Sequence, residues 1–217
     1  MRRKNGKFIV IEGIDGSGKS TQVELLKNKL PEFHFTREAS DGPIGTLLRR
    51  LFLTGERQCD ERVINMLYVA DRLDHITNKT DGILKSIISG CNVICDRYYL
   101  SSMAYNSYMM ETNEKMYKMI NQTISMNAVN MSSLRPDLTI YIDTPPEVAC
   151  QRINIRNEDK AIYETPEKLE KIYQSYKMSI AILLKDYKEN IVIVDGSKSP
   201  EEIHNEIYGI IQKLLNQ

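Results

Sequence analysis

One eight-residue run, GIDGSGKS at positions 13–20, constrains the fold more than any other feature of the chain. It satisfies the pattern G-x-x-x-x-G-K-[ST], follows an apolar run of strand length and precedes a segment with helical apolar spacing. Glycines allow backbone amides to surround a phosphate, and the start of the following helix adds partial positive charge. The sequence therefore predicts a phosphate-binding loop for ATP or GTP with Mg²⁺.

Two polar residues at the end of this loop have predicted roles. Lys19 supplies a full positive charge, and the Ser20 hydroxyl is available to Mg²⁺. The residues predicted to bind the nucleoside triphosphate are Gly13, Gly16, Ser17, Gly18, Lys19, Ser20 and Thr21.

Apolar runs of strand length alternate with helical periodicity along the chain. The predicted strands are 7–11, 32–35, 92–95, 138–142 and 191–194, and the predicted helices are 24–30, 44–52, 61–75, 167–188 and 201–215. Positions 103–133 are the least periodic part and are assigned only loosely as helical. This alternation predicts an α/β fold, a central five-stranded parallel sheet flanked by helices, in a single domain over 1–217.

Composition excludes several classes of protein. The 29 Lys and Arg residues balance 29 Asp and Glu residues, which argues against a broadly basic nucleic-acid binder. No stretch approaches the roughly 18 apolar residues of a membrane span. The four cysteines form neither a CxxC pair nor a metal-ligand pattern, so a reducing cytoplasm is expected.

A GTPase is the alternative that the sequence itself raises. Residues 78–81, NKTD, match the NKxD pattern of guanine recognition. They follow a charged predicted helix rather than a buried strand, however, and the only DxxG lies inside the phosphate-binding loop at 15–18. The position of both motifs therefore favours a kinase over a GTPase.

Charged residues follow the predicted strands at the edge where ligands collect in open α/β sheets. Lys19, Arg37, Asp96 and Arg97 are expected to converge there, which suits two phosphorylated substrates. Asp96 would act through Mg²⁺-bound water, and Arg97 could donate two hydrogen bonds to a monophosphate.

Several ordered motifs over nearly the whole length resemble the thymidylate kinase family. They are the phosphate-binding loop with Asp15, TRE at 36–38, YVADR at 68–72, DRY at 96–98 with SS at 101–102 and AY at 104–105, and IYE at 162–164. The resemblance implies a P-loop fold of the nucleoside-monophosphate-kinase type. It also implies Mg²⁺-dependent transfer of the ATP γ-phosphate to dTMP, giving dTDP for dTTP synthesis.

Tyr68 and Arg72 are four residues apart on a predicted helix and so share a face. The resemblance implies that Tyr68 stacks on thymine and that Arg72 donates to a ring carbonyl. It further implies that Tyr105 excludes a ribose 2′-hydroxyl and that Asp15 contacts the sugar 3′-hydroxyl. The full set implied for dTMP is Asp15, Arg37, Tyr68, Arg72, Arg97, Ser102, Tyr105 and Tyr163.

Catalytic positive charge has to come from outside the loop, because Gly16 and Ser17 stand where some family members carry an arginine. Arg152, Arg156 and Lys160 recur every four residues and resemble the branch whose lid supplies this charge. The lid is placed at about 152–163. The predicted catalytic set is Asp15, Lys19, Arg97, Arg152 and Arg156.

The chain departs from the family pattern after TRE, where ASDG at 39–42 replaces the expected proline and glycines. Asp41 could repel a phosphate there. Residues 195–198, DGSK, resemble the family's adenine-bordering loop.

Two further functions are weighed against the thymidylate kinase prediction. One is a kinase for another nucleoside monophosphate or for a deoxynucleoside, and the other is a nucleotide-binding module without turnover. A homodimer without nucleic-acid or membrane partners is expected from the resemblance and the composition.

Overall fold

The computed structural model describes residues 5–54, 59–156 and 165–216. Five parallel strands form one sheet in the order β2-β3-β1-β4-β5. They are β1 (Phe8–Glu12), β2 (His34–Arg37), β3 (Val93–Asp96), β4 (Leu138–Asp143) and β5 (Ile191–Asp195). The predicted α/β architecture with five parallel strands is confirmed.

Helices connect the strands and cover both faces of the sheet. They are α1 (Lys19–Lys29), α2 (Pro43–Thr54), α3 (Glu61–Thr77), α4 (Ile83–Ile88), α5 (Tyr99–Ser107), α6 (Asn113–Met126), α7 (Ala128–Ser133), α8 (Pro146–Arg156), α9 (Pro166–Asp186) and α10 (Pro200–Leu215). Segment 103–133, assigned only loosely from sequence, contains most of α5 and all of α6 and α7.

The sequence prediction was wrong about two element boundaries near the site. Strand β2 begins two residues later than predicted, because the backbone N–H of Phe33 closes a turn with Leu30 and is not available to the sheet. Helix α1 begins at Lys19 rather than at 24, since its first turn follows directly from the loop and buries Lys19 and Gln22 instead of apolar residues. Helix α4 was not predicted at all.

Alternate residues of β1 enter two separate hydrophobic clusters. Phe8 and Val10 pack with apolar residues of α5 and α9, whereas Ile9 and Ile11 pack with α1 and α10. All four side chains are essentially inaccessible to solvent. Burial on both faces explains why β1 is a continuous apolar run and not an alternating one.

Local hydrogen bonds fix the ends of two helices. Ser199 and Glu202 form a complete capping box at the start of α10. Helix α3 continues to Thr77, two residues beyond its predicted end, and Asn78, the first residue of the NKxD match, follows it; the Asn78 side chain accepts from the backbone N–H of Thr80. Within the described ranges, no helix combines the length and apolarity needed to cross a membrane.

Candidate active site

The loop between β1 and α1 has the backbone geometry of a phosphate cradle. Gly16 and Gly18 have φ values of 77° and 98°, which side chains with a Cβ resist. A Cβ on Gly16 would lie 2.4 Å from the carbonyl oxygen of Ala149 in α8. Glycine is therefore required at position 16 by both conformation and space.

Lys19 is buried within this loop. Its ammonium group donates to the carbonyl oxygens of Gly13 and Ile14 at 3.0 and 2.8 Å. Burial lowers the pKa of Lys19 to about 8, and the nearby charge of Arg97 acts in the same direction. Asp15 opposes this shift, so the lysine stays largely protonated near neutral pH.

The residues predicted to serve Mg²⁺ are both at the cradle. Asp96 ends β3 next to β1, and its buried Oδ1 has no hydrogen-bond partner among the described residues. Ser20 is exposed in the first turn of α1. No group of three or more His, Cys, Asp or Glu residues in the described ranges could hold a metal. The donors fit a magnesium ion that takes its other ligands from phosphate and water.

Arg97 links the cradle to the neighbouring helix α5. Its Nη2 forms an ion pair with Asp15, and its Nη1 donates to the carbonyl oxygen of Gly13 at 3.2 Å. The Tyr105 hydroxyl donates to the second oxygen of Asp15 at 2.7 Å, and the guanidinium lies 5.3 Å from the Tyr105 ring centre. Three of the predicted residues, Asp15, Arg97 and Tyr105, are therefore in mutual contact.

Charge balance keeps Asp15 ionised in this cluster. Burial alone raises the pKa of Asp15, but the charges of Arg97 and Lys19 and the hydrogen bond from Tyr105 outweigh it, and the net pKa is lowered. For Tyr105, burial raises the pKa well above its usual value, so the hydroxyl remains a donor.

Arg72 is held in a second cluster and is only 1% exposed. It forms a buried ion pair with Glu38, with Nε to Oε2 at 2.7 Å. Its other nitrogens donate to Asn127 Oδ1 at 2.5 Å and to Ser102 Oγ at 3.0 Å. These contacts bring two predicted residues, Arg72 and Ser102, together and fix the direction of the guanidinium.

Tyr68 lies one helical turn before Arg72 on α3 and is partly buried. Burial raises the pKa of Tyr68, and the charges of Arg97 and Arg72 act against this. Tyr68 therefore lies within the electrostatic influence of both arginines.

The unusual loop after β2 is anchored by side chains that the sequence analysis did not single out. Ser40 donates from its backbone N–H and its hydroxyl to Asp71 at 2.8 and 2.6 Å. Arg49 donates to the carbonyl oxygens of Ala39 and Ser40, both at 2.6 Å.

Asp41, which could repel a phosphate, pairs with Arg37 at 2.8 Å and with Arg49 at 3.1 Å. The hydrogen bond from Arg37 lowers the pKa of Asp41. Arg37 is mostly exposed at the end of β2. Its charge is thus present at the sheet edge, but it is shared with a carboxylate.

A cavity of about 250 Å³ lies beside the cradle. Its lining comes from the loop, α1, α8 and α10: Ser17, Gly18, Thr21, Gln22, Arg152, Ile155, Pro200 and Ile203. Arg152 bridges the cavity, with Nη1 3.4 Å from the Ser17 carbonyl oxygen and Nη2 3.4 Å from that of Lys198. The predicted adenine-bordering loop at 195–198 is therefore joined to the cradle through Arg152.

Part of the predicted lid is outside the described residues. Lys160 and Tyr163 lie in the range 157–164, and Arg156 ends α8 with a side chain that is likewise not described. Arg152 lies inside α8, so the first residues of the predicted lid belong to that helix.

Two acidic residues of the site were not predicted. Glu12 ends β1, is fully buried and accepts four hydrogen bonds; burial raises its pKa, and Arg97 opposes the shift. Glu38 neutralises Arg72, a pairing that its place in the TRE motif at 36–38 does not indicate. A glutamate at the end of an otherwise apolar strand was the available signal for Glu12.

Comparisons with known proteins agree with this geometry. The family model described as thymidylate kinase matches residues 11–207. A thymidylate kinase from Carboxydothermus hydrogenoformans is 36% identical over 214 residues, 96% of this chain and 98% of that protein. A probable thymidylate kinase from Methanocaldococcus jannaschii is 34% identical over 208 residues, 95% of this chain and 96% of that protein.

A solved structure of thymidylate kinase from Candida albicans has the same fold, with a TM-score of 0.77 and 24% sequence identity. The match covers 98% of this chain and 93% of that one. A family match over residues 11–207 and relatives above 30% identity, together with the phosphate cradle, lead to one conclusion. The chain belongs to the thymidylate kinase family.

Proposed function

We propose that this protein is an ATP:dTMP phosphotransferase that forms dTDP for dTTP synthesis. The observation that carries the proposal is the contact between two binding regions. Arg97, expected at the monophosphate, donates to Gly13 of the cradle expected at ATP. Donor and acceptor phosphates bound at these places would lie next to each other, as phosphoryl transfer requires.

ATP is the phosphate donor, and its phosphates fit the backbone of the loop at 13–18 and the ammonium group of Lys19. Lys19 would exchange its bonds to two carbonyl oxygens for bonds to phosphate. Ser20 and, through water, Asp96 would hold Mg²⁺, which neutralises phosphate charge when bound. The cavity lined by Thr21, Arg152 and Pro200 would take the adenine.

dTMP would occupy the region between α3 and α5. Arg97 would bind its phosphate, and Asp15 would accept from the sugar 3′-hydroxyl. Tyr68 would stack on thymine, an interaction of about 1–3 kcal/mol. Arg72, oriented by Glu38 and Ser102, would donate to the base.

Tyr105, Arg37 and Tyr163 complete the proposed dTMP site. Tyr105 is held against Asp15 and would leave little room for a ribose 2′-hydroxyl. Arg37 would add charge near the monophosphate.

Arg152 and Arg156 would supply the positive charge that the loop lacks. Transition-state charge in phosphoryl transfer is spread over phosphate oxygens, and one well-placed arginine contributes about 10³–10⁵ in rate. Arg152 already reaches the loop through the Ser17 carbonyl oxygen. Replacing both arginines by alanine should lower kcat far more than it weakens substrate binding, and full activity of that variant would reject this role.

A coupled assay of ADP release across nucleoside monophosphates tests the substrate. The proposal expects dTMP to give the highest kcat/KM. Faster turnover of dCMP or dGMP would favour a kinase for another nucleotide, and absence of ADP formation with any acceptor would favour a binding module. Arg97→Ala should weaken dTMP binding, and unchanged affinity would reject its role at the phosphate.

The cellular setting is part of the proposal. All four cysteines are free, which suits a reducing cytoplasm. Helix α3 exposes Val63 and Met66, which are 49% and 52% accessible, as a homodimer contact would use. Sedimentation analysis would decide the oligomeric state, with a monomer at micromolar concentration counting against the dimer.

A further inference from the structure

Two hydroxyl groups contact Arg97 in addition to Asp15, and both of them also contact the buried carboxylate of Glu12. The Tyr176 hydroxyl, on α9, donates to Glu12 Oε2 at 3.0 Å and accepts from Arg97 Nη1 at 3.2 Å. Ser101 Oγ has the same pair of contacts, 2.7 Å to the same carboxylate oxygen and 3.1 Å from Arg97. Each hydroxyl therefore connects the carboxylate to the guanidinium.

The direction of these hydrogen bonds is set by Glu12. Its other oxygen, Oε1, accepts from the backbone N–H groups of Tyr98 and Ser101 at 2.8 and 3.1 Å, which fixes the carboxylate plane. A carboxylate only accepts hydrogen bonds. Each hydroxyl donates to Glu12 Oε2 and presents its lone pairs to Arg97 and to the other hydroxyl, which lies 2.8 Å away.

The Tyr176 ring has no room to move the hydroxyl elsewhere. The residue is fully buried, and its ring centre lies 5.3 Å from that of Tyr141 and 6.3 Å from that of Tyr105. A hydroxyl held this firmly acts as a fixed acceptor.

We propose that Tyr176, with Glu12 behind it, is a positioning residue that fixes Arg97 for the phosphate of the acceptor nucleotide. Asp15 at Nη2 and the Gly13 carbonyl oxygen at Nη1 alone would leave the guanidinium some freedom to turn. Further acceptors on Nη1 remove that freedom, and a misplacement of about 1 Å in a phosphoryl-transfer site can cost about 10²-fold in rate. The inference rests on the proposed function, because it assigns Arg97 to the monophosphate.

The test compares two variants that each lose only a hydroxyl. Tyr176→Phe removes one of the acceptors on Nη1 of Arg97. Tyr141→Phe is the matched control, since its ring packs on Tyr176 and its buried hydroxyl has no partner among the described residues. For Tyr176→Phe, kcat/KM for dTMP should fall about tenfold, while KM for ATP should change less than about twofold. Inhibition by thymidine, which lacks the phosphate, should be unchanged, and the Tyr141→Phe variant should match wild type throughout.

A double-mutant cycle separates positioning from general packing. In an Arg97→Ala background, Tyr176→Phe should cause no further loss, because its effect passes through the missing arginine. An additive loss, or equal behaviour of the Tyr176→Phe and Tyr141→Phe variants, would overturn the inference. If Tyr176→Phe does not fold, Ser101→Ala, which removes the other bridging hydroxyl, replaces it in the same cycle.

The proposed function is judged separately by wild-type turnover. If wild type prefers another monophosphate, dTMP specificity is wrong, and the cycle is run with the preferred substrate. The positioning role of Tyr176 is then still supported if the loss of kcat/KM in Tyr176→Phe requires Arg97. It is overturned if the same loss occurs without Arg97.

Discussion

Raising the pH from about 7 to about 9 should weaken ATP binding by removing the charge of Lys19. Its pKa is lowered to about 8 by burial and by the charge of Arg97. A group with that pKa is about 90% protonated at pH 7 and about 10% at pH 9. If only the ammonium form binds phosphate well, the apparent affinity should fall about tenfold over this range.

Calorimetric titration with a non-hydrolysable ATP analogue and Mg²⁺, at constant ionic strength, measures this change. The Lys19→Gln variant is the control, because it should bind the ATP analogue weakly but has no titrating group at position 19. Its affinity should vary little between the two pH values. Equal affinity of wild type at both values, or an equal decline in the Lys19→Gln variant, would refute the reasoning.

The same pKa shift predicts how protein stability depends on pH. The pKa of Lys19 is about 8 in the folded protein, against a usual value of 10.5. Between these values the unfolded chain binds a proton that the folded chain has lost, so the free energy of unfolding rises with pH. Urea unfolding should show that the free energy of unfolding of wild type, relative to that of the Lys19→Gln variant, rises by about 2 kcal/mol between about pH 7 and pH 10. A constant difference between the two proteins would contradict the burial of a charged lysine.

Three further substitutions test other parts of the site. Gly16→Ala places a Cβ 2.4 Å from the Ala149 carbonyl oxygen at a φ of 77°. The free energy of unfolding, measured with urea, should therefore fall by about 1–3 kcal/mol, and calorimetry should show no ATP binding. Wild-type values in both measurements would contradict the strain. Glu38→Gln leaves the buried Arg72 without a counter-charge and should cost about 3–5 kcal/mol of unfolding free energy, whereas unchanged stability would mean that the pair is not needed. Asp41→Asn removes an exposed carboxylate that is paired with two arginines, so the free energy of unfolding should change by less than about 1 kcal/mol. Calorimetry should show tighter dTMP binding, and weaker binding would exclude repulsion by Asp41.

The parts of the site that could be predicted depend on local sequence or on a general rule of sheet geometry. The cradle at 13–20 is one continuous segment whose strand, loop and helix context is legible in the sequence. The approach of Arg97 to the cradle follows from the rule that parallel strands bring their carboxyl ends to one edge. The order of the strands therefore indicates which parts of the chain meet there.

The supporting residues could not be predicted, because their contacts join distant parts of the chain. Tyr176 and Glu12 are 164 positions apart, and no periodicity shows which tyrosine of a buried helix face will meet a buried carboxylate. Arg72 likewise shares a helix face with Tyr68, but that spacing does not indicate its pairing with Glu38 or its contact with Asn127. Tertiary packing decides these contacts.

The central claim is that the cradle and the Arg97 region bind two nucleotides whose phosphates meet. Incubation with dTMP, Mg²⁺ and ATP radiolabelled at the γ-phosphate, followed by chromatographic separation of the products, tests it most directly. The label should appear in dTDP in step with the loss of ATP, and Arg97→Ala should suppress this transfer. Label released as free phosphate, or no transfer to dTMP while another acceptor is labelled, would contradict the account.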